Sequence, residues 1–203
     1  MRIAIIGYGG MAGNHNRQLS QGNVRVRIKG VYDINSERME VAKEQGYIAY
    51  ESKEALLGDP DIDIVLVATT NDCHKSLSIE ALRAGKHVLC EKPIASNARE
   101  ARAMVAASNK YGVTLMEAMK STLSPNFLAV KENLHRIGTP RRYFASFCQY
   151  SSRYDKFKEG IVLNAFRPEL SNGAIMDIGV YTLYPLIALF GSPKSINAQG
   201  VVL

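Results

Sequence analysis

The segment Ile62 to Ala68, IDIVLVA, is apolar at every position but Asp63, and much of it is β-branched. A half-exposed strand alternates apolar and polar residues. A run without alternation reads as a strand covered on both faces, the mark of a parallel sheet with helices on each side. The flanking chain agrees. Arg2 to Gly7 predicts a short buried strand and Gly10 to Leu19 a helix. Val24 to Tyr32 predicts a second strand, ended by Asp33, and a helix follows with Ser36 as its N-cap. His74 to Ala84 carries Leu77, Ala81 and Leu82 at helical spacing before Gly85, and Lys86 to Cys90 reads as a strand. Asn97 to Lys110 is a helix with Ala101, Met104, Val105 and Ser108 on one face, and Val113 to Met116 a further strand. Strands separated by such helices are right-handed βαβ units. The expected fold is α/β, a Rossmann-type doubly wound parallel sheet over residues 1–120.

The pattern changes after residue 120. Pro125 to Arg136 predicts a helix, Arg142 to Tyr150 a long strand, Ala174 to Phe190 a helix, and Ser195 to Leu203 the start of another strand. Ser151 to Asn172 is polar and irregular. Residues 121–203 thus read as part of a second, α+β domain. No fully apolar run reaches the roughly 18–20 residues that cross a bilayer, and the N-terminus lacks a signal-peptide pattern. A cytoplasmic protein without a membrane partner is expected. Cys73, Cys90 and Cys148 are odd in number and far apart, and His15, His74, His87 and His135 are scattered. These are reduced thiols without a metal-site spacing. The formal charge of +6 has no basic stripe interleaved with aromatics, which argues against nucleic acid and leaves an anionic small ligand.

One stretch gives that ligand a place. The first strand runs into Gly7-Tyr8-Gly9-Gly10-Met11-Ala12, a G-x-G-x-x-A turn ahead of a helix. The first glycine permits the turn, the second lets the backbone approach a pyrophosphate, and the small third residue lets helix and strand pack. Free N–H groups at the helix start favour the anion. Asp33, at the end of the second strand, is where a carboxylate bonds the adenosine ribose and repels a 2′-phosphate. NAD is therefore expected over NADP, a preference that Arg38 softens. The contact set is Gly7, Tyr8, Gly9, Gly10, Met11, Ala12, Asp33, Ile34 and Arg38. The competing reading of Asp33 is a turn cap.

Residues 62–101 carry a strand, the turn Thr69-Thr70-Asn71-Asp72-Cys73-His74, a helix ending Ala84-Gly85-Lys86-His87-Val88, and the tripeptide Glu91-Lys92-Pro93. Downstream stands GAIMDIGVY, residues 173–181. Together these resemble the glucose–fructose oxidoreductase/inositol dehydrogenase (Gfo/Idh/MocA) family. The resemblance implies an NAD(P)-dependent dehydrogenase of sugars, polyols or related small alcohols, with an open, mostly antiparallel sheet as second domain. It implies that Thr69, Thr70, Asn71 and His74 line the cofactor groove, that Glu91 sits by the nicotinamide ribose, and that Lys92 approaches nicotinamide and substrate. Asp177 and Tyr181 would face the substrate. Tyr181 stands where many members carry His, Thr70 where Pro is usual, and Thr122 where Arg is frequent. Relatives run to well over 300 residues, so the second domain reads as incomplete. They pair as homodimers or homotetramers through that domain.

Hydride transfer needs a bound nicotinamide, a carbinol carbon near it, and a group to exchange the alcohol proton. Lys92 and Tyr181 are the candidates, each with an unperturbed pKa of about 10 that neighbours can lower. Asp177 and Tyr181 are spaced i, i+4, opposite the apolar stripe Ile175, Ile178, Gly179, Thr182, Leu183, Leu186 and Phe190. A cleft explains that placement, and plain solvent is the bland alternative. Lys92, preceding Pro93, is pushed out of helical geometry, and it is either poised over a groove or simply solvated. A catalytically silent dinucleotide or sugar sensor of the same fold is the second functional reading.

Overall fold

A computed structural model describes residues 1–10, 13 and 25–201. Six strands form one parallel sheet: β1 (Arg2–Ile6), β2 (Arg27–Tyr32), β3 (Ile48–Ala49), β4 (Ile64–Val67), β5 (His87–Cys90) and β6 (Leu115–Glu117). Their spatial order is β3-β2-β1-β4-β5-β6. Among the described residues of this part the helices are α1 (Ser36–Glu44), α2 (Lys53–Gly58), α3 (His74–Arg83) and α4 (Ala98–Tyr111).

The sheet buries both faces, as the unalternating run at 62–68 demanded. Ala4, Ile6, Val65, Val67, Val88 and Cys90 join Leu56, Leu82 and Met104 in one core. Ile3, Ile5, Val31 and Leu66 join Tyr8 and Ala42 in another. Successive residues of β1 and β4 thus point to opposite cores, the period-two geometry of a strand. Each fully buried side chain of this size contributes about 1.5–3 kcal/mol by leaving water, so the sheet centre is the most strongly determined part of the chain.

Local signals set the helix ends. The N-cap of α1 is Asn35, not Ser36: its side-chain oxygen accepts from the amides of Glu37 and Arg38. Asn97 caps α4 by accepting from the Glu100 amide, and Gly112, at φ 66°, ends it. Val105 is half exposed, and the inner face of α4 is carried by Met104 and Ala107. Strand β3 and helix α2, started by Ser52, lie in a stretch with no strong periodicity. Met11, Ala12, His15, Val24 and most of the helix expected from Gly10 to Leu19 lie outside the described residues.

The described residues fall into two compact units, Met1–Ala118 with Val162–Gly173, and Met119–Ile161 with Ala174–Leu203. The second contains α5 (Pro125–Asn133), α6 (Tyr154–Lys158) and α7 (Val180–Phe190). The helix expected to reach Arg136 tightens at Leu134–Ile137 into a 3-10 turn. Neither 142–150 nor 195–201 forms a strand. Strand-prone residues become a strand only by pairing, and among the described residues neither segment is laddered to a partner. Tyr143 and Phe147 instead meet side chains of α7: Tyr143 lies edge-on to Phe190 at 6.0 Å, and Phe147 stacks on Tyr181 at 5.7 Å. Among the described residues of this unit only Met119 is buried. Cys148 is exposed. One segment, Pro168–Phe190, holds no uninterrupted apolar run of that length but is long and apolar enough on average to cross a membrane. It is broken by Gly173 at φ 146° and contains Asp177.

Candidate functional site

The carboxyl ends of the strands finish level. Gly7 N–H donates to the Tyr32 carbonyl, Ala68 N–H to that of Ile6, and Glu91 N–H to that of Val67, each at 2.9 Å. Gly7, Asp33, Ala68 and Glu91 therefore share one edge. The chain leaves β1 toward β2 on one side and β4 on the other, and such a switch point opens a crevice beyond the strand ends.

The first turn is built tightly. Gly7 has φ +93°, and a Cβ on it would stand 2.6 Å from the Ala68 carbonyl oxygen and 2.8 Å from the Thr69 methyl carbon. Among the described residues, a Cβ on Gly10 would meet nothing within 4 Å, and one on Gly9 only the Arg38 guanidinium at 3.8 Å. The turn is closed toward the sheet and open above Gly9 and Gly10, the shape that lets a pyrophosphate approach backbone amides.

Asp33 ties this turn to the second strand. Its buried carboxylate accepts from the Tyr8 amide at 2.7 Å, the Asn35 amide at 2.8 Å and Arg38 Nη1 at 3.1 Å. It therefore caps a turn and also fixes the glycine loop. The Tyr8 ring turns into the core, where its hydroxyl donates to Gln45 at 2.6 Å, so only its backbone faces the crevice side. Ile34 is 93% exposed beside Asp33, and Arg38 is half exposed.

The second turn follows β4. Thr69 and Thr70 are half-buried, whereas Asn71 and His74 are buried. The Asn71 amide donates to the Ser171 carbonyl at 3.0 Å and to Asn172 Oδ1 at 2.8 Å. His74 sits beneath the groove with Nδ1 2.8 Å from the Pro93 carbonyl oxygen and Nε2 3.3 Å from that of Thr69. Burial, outweighing the two carbonyls, pushes its pKa below the usual histidine value. The ring is thus neutral at neutral pH, and the shorter contact identifies Nδ1–H as donor to Pro93.

The third turn follows β5. Glu91 is buried, its Oε2 accepts the Lys92 amide at 3.2 Å, and the Lys92–Pro93 peptide is cis. Glu117 on β6 accepts the Ile94 amide at 2.8 Å. Lys92 is therefore carried on a turn fixed by Glu91, His74 and Glu117. Behind β5, burial pushes the Cys90 thiol up to about 12.

Asp177 and Tyr181 lie in the second unit. The helix expected from Ala174 opens as a π-helix over Ile175–Gly179 and becomes α only at Val180. A 100° wheel does not describe the π segment, and Ile175, Leu183, Ile187 and Phe190, on or beside the expected apolar stripe, are exposed. Tyr181 stacks on Phe147.

Three contacts escaped sequence reading. The Asn71 clamp joins residues a hundred apart. Lys86 Nζ is buried on the Asp59 and Ile62 carbonyls at 2.6 and 3.0 Å. Asp59 gathers Lys29 Nζ and the Tyr50 hydroxyl, each at 2.6 Å. Asn71 and Lys86 stood in quoted motifs, and nothing in those motifs announced the Ser171 partner or a buried amine.

Residues 1–119 match the family described as "Oxidoreductase family, NAD-binding Rossmann fold". The chain is 49% identical to scyllo-inositol 2-dehydrogenase (NADP(+)) IolU of Bacillus subtilis (strain 168), over 87% of this chain and 55% of that protein. It is 35% identical to a trans-1,2-dihydrobenzene-1,2-diol dehydrogenase of Xenopus laevis, over 75% of this chain and 45% of that one. The crystal structure of an NAD-binding protein from Listeria innocua superposes with a TM-score of 0.74 at 31% identity, covering 94% of this chain and 55% of that one. The chain thus spans about half the length of the relatives it matches. By the match over its first 119 residues, it belongs to the Gfo/Idh/MocA oxidoreductase family with an NAD-binding Rossmann fold.

Proposed function

We propose that this chain holds a nicotinamide dinucleotide at the carboxyl edge of its sheet and forms part of a dehydrogenase acting on a CH–OH group of a sugar, inositol or diol. One observation carries the reading: Asp33 locks a glycine turn that is closed toward Ala68 and open above Gly9 and Gly10. The exposed face of Ile34 suits an adenine ring, and the edge from Thr69 to Glu91 suits the nicotinamide half. When bound, the nicotinamide accepts or gives the hydride. Glu91 and the Thr69 turn orient that half, Lys92 and Tyr181 exchange the alcohol proton at Nζ or the phenol oxygen, and Asp177 binds the substrate. The relatives named for scyllo-inositol and a benzene diol support a cyclic polyol or diol.

NAD is the favoured dinucleotide on this reading, because the Asp33 carboxylate repels a 2′-phosphate. A second reading, NADP, is favoured by the half-exposed guanidinium of Arg38 beside that carboxylate and by the NADP(+)-named relative. Residues after 120 belong, on this proposal, to an α+β substrate domain that also pairs copies into a homodimer or homotetramer, in a cytoplasmic protein. The alternative, a silent sensor of the same fold, keeps binding and lacks turnover.

Titration with NADH and NADPH, beside Gly9→Asp and Asp33→Ala, tests the proposal. Saturable binding that Gly9→Asp abolishes is expected, with a gain of NADPH affinity in Asp33→Ala. A turnover screen then starts from scyllo-inositol. Absence of binding to either dinucleotide overturns the reading, and binding without turnover favours the sensor.

A further inference from the structure

We infer that Asn71 is a positioning residue: it braces the segment leading into the Asp177 helix and does not itself touch the dinucleotide. The inference rests on the proposed function for the roles of Asp177 and Tyr181. The side chain is buried, and both N–H bonds of its amide are committed, one to the Ser171 carbonyl at 3.0 Å and one to Asn172 Oδ1 at 2.8 Å. The amide orientation is consistent along the chain of bonds. Asn172 accepts through Oδ1 and donates through Nδ2 to the Asn164 carbonyl at 2.8 Å, so reversing either amide would oppose two acceptors.

The clamped residue is conformationally unusual. Ser171 has φ 57°, the one non-glycine residue with positive φ among those described, a region that L side chains avoid. It ends the 3-10 turn Pro168–Leu170, which follows another at Asn164–Phe166. The Asn71 bonds therefore secure a segment with little regular structure and few means of holding itself. That segment belongs to the first unit as far as Gly173, and the second resumes at Ala174. Asp177 follows five residues beyond Asn172 in the chain. The turn that carries Asn71 also carries His74, whose ring holds the Pro93 carbonyl next to Lys92. One turn thus secures both the 164–173 segment and the backbone beside Lys92.

The test uses the full chain with Asn71→Ala, Asn172→Ala and the double variant, read by amide hydrogen exchange and NADH titration. Losing these hydrogen bonds is expected to speed exchange across 164–173 about ten-fold. The two single effects should fail to add in the double variant, and NADH affinity in Asn172→Ala should stay within about two-fold. In scyllo-inositol oxidation the polyol KM should rise in both single variants while the KM for the dinucleotide holds. Unchanged exchange at 164–173 overturns the inference, as does a ten-fold loss of NADH affinity in Asn71→Ala that Asn172→Ala does not share. If Asn71→Ala fails to fold, Asn172→Ala alone decides through the same exchange readout. A wild-type chain that binds no dinucleotide defeats the proposed function and with it the link to Asp177, while the exchange data still decide whether the brace exists.

Discussion

Two glycines of the same turn should fail in opposite ways when each gains a methyl group. Gly7→Ala places a Cβ in a backbone at φ +93°, 2.6 Å from the Ala68 oxygen and 2.7 Å from its carbonyl carbon. Both neighbours are main-chain atoms just past the end of the central strand β4, so neither swings aside. The left-handed conformation costs about 1–2 kcal/mol, and forcing a methyl into close-packed surroundings about 1–3 kcal/mol more. A mid-range loss of about 3 kcal/mol lowers the melting temperature of a domain this size by about 6–12 °C. Among the described residues, Gly9→Ala meets only the flexible end of Arg38 at 3.8 Å, so the melting temperature should hold within about 2 °C. The same methyl stands where a pyrophosphate must approach, and NADH affinity should fall at least about ten-fold. Thermal melts followed by circular dichroism, together with NADH fluorescence titration, separate the two. A Gly7→Ala protein that melts within about 2 °C of wild type would refute the packing argument. A Gly9→Ala protein that loses stability and affinity together would show that glycine to be structural.

Two further outcomes concern groups away from the crevice. Lys29 first, then the Tyr50 hydroxyl and the Asp61 amide, hold the Asp59 carboxyl well below its ordinary range. Its folded value lies under the unfolded one, so its stabilisation is present above about pH 4 and is lost as acid protonates it; Asp59→Asn should flatten the decline of the urea midpoint below pH 4, and an unchanged slope would assign acid sensitivity elsewhere. Burial holds the Cys90 thiol at about 12 and Cys148 is exposed, so iodoacetamide at pH 8 should label Cys148 in the native state and reach Cys90 only after unfolding, as peptide mass mapping would report.

The sheet was legible in the sequence because its signals are local. The unalternating run at 62–68, the turn at Gly7 and the acid at Asp33 each announce a constraint by residue type and spacing, although the partners lie elsewhere: Gly7 packs on Ala68, and Asp33 accepts from Tyr8. Even the shift of the first cap from Ser36 to Asn35 stays within one residue. What was not legible depends on partners far along the chain. Nothing near Asn71 announces Ser171, and nothing near Lys86 announces the carbonyls at Asp59 and Ile62. The segments 142–150 and 195–201 have strand-like composition, yet a strand needs a ladder. Residue type names a candidate, and only tertiary placement shows that the Tyr8 ring turns inward or that His74 lies under the groove.

The π-helix at Ile175–Gly179 bears on how such a site can diversify. A π turn closes i→i+5 and so resembles an α-helix into which one residue has been inserted. Removing a single codon within it would yield an uninterrupted α-helix, at no cost in backbone hydrogen bonding. The bulge takes up the extra residue locally, so the turns on either side keep their register and only side chains within the bulge are re-aimed. Asp177 lies inside the insertion and Tyr181 just past it. An in-frame gain or loss of one residue could thus re-aim one of these groups while leaving the other, and the fold, in place.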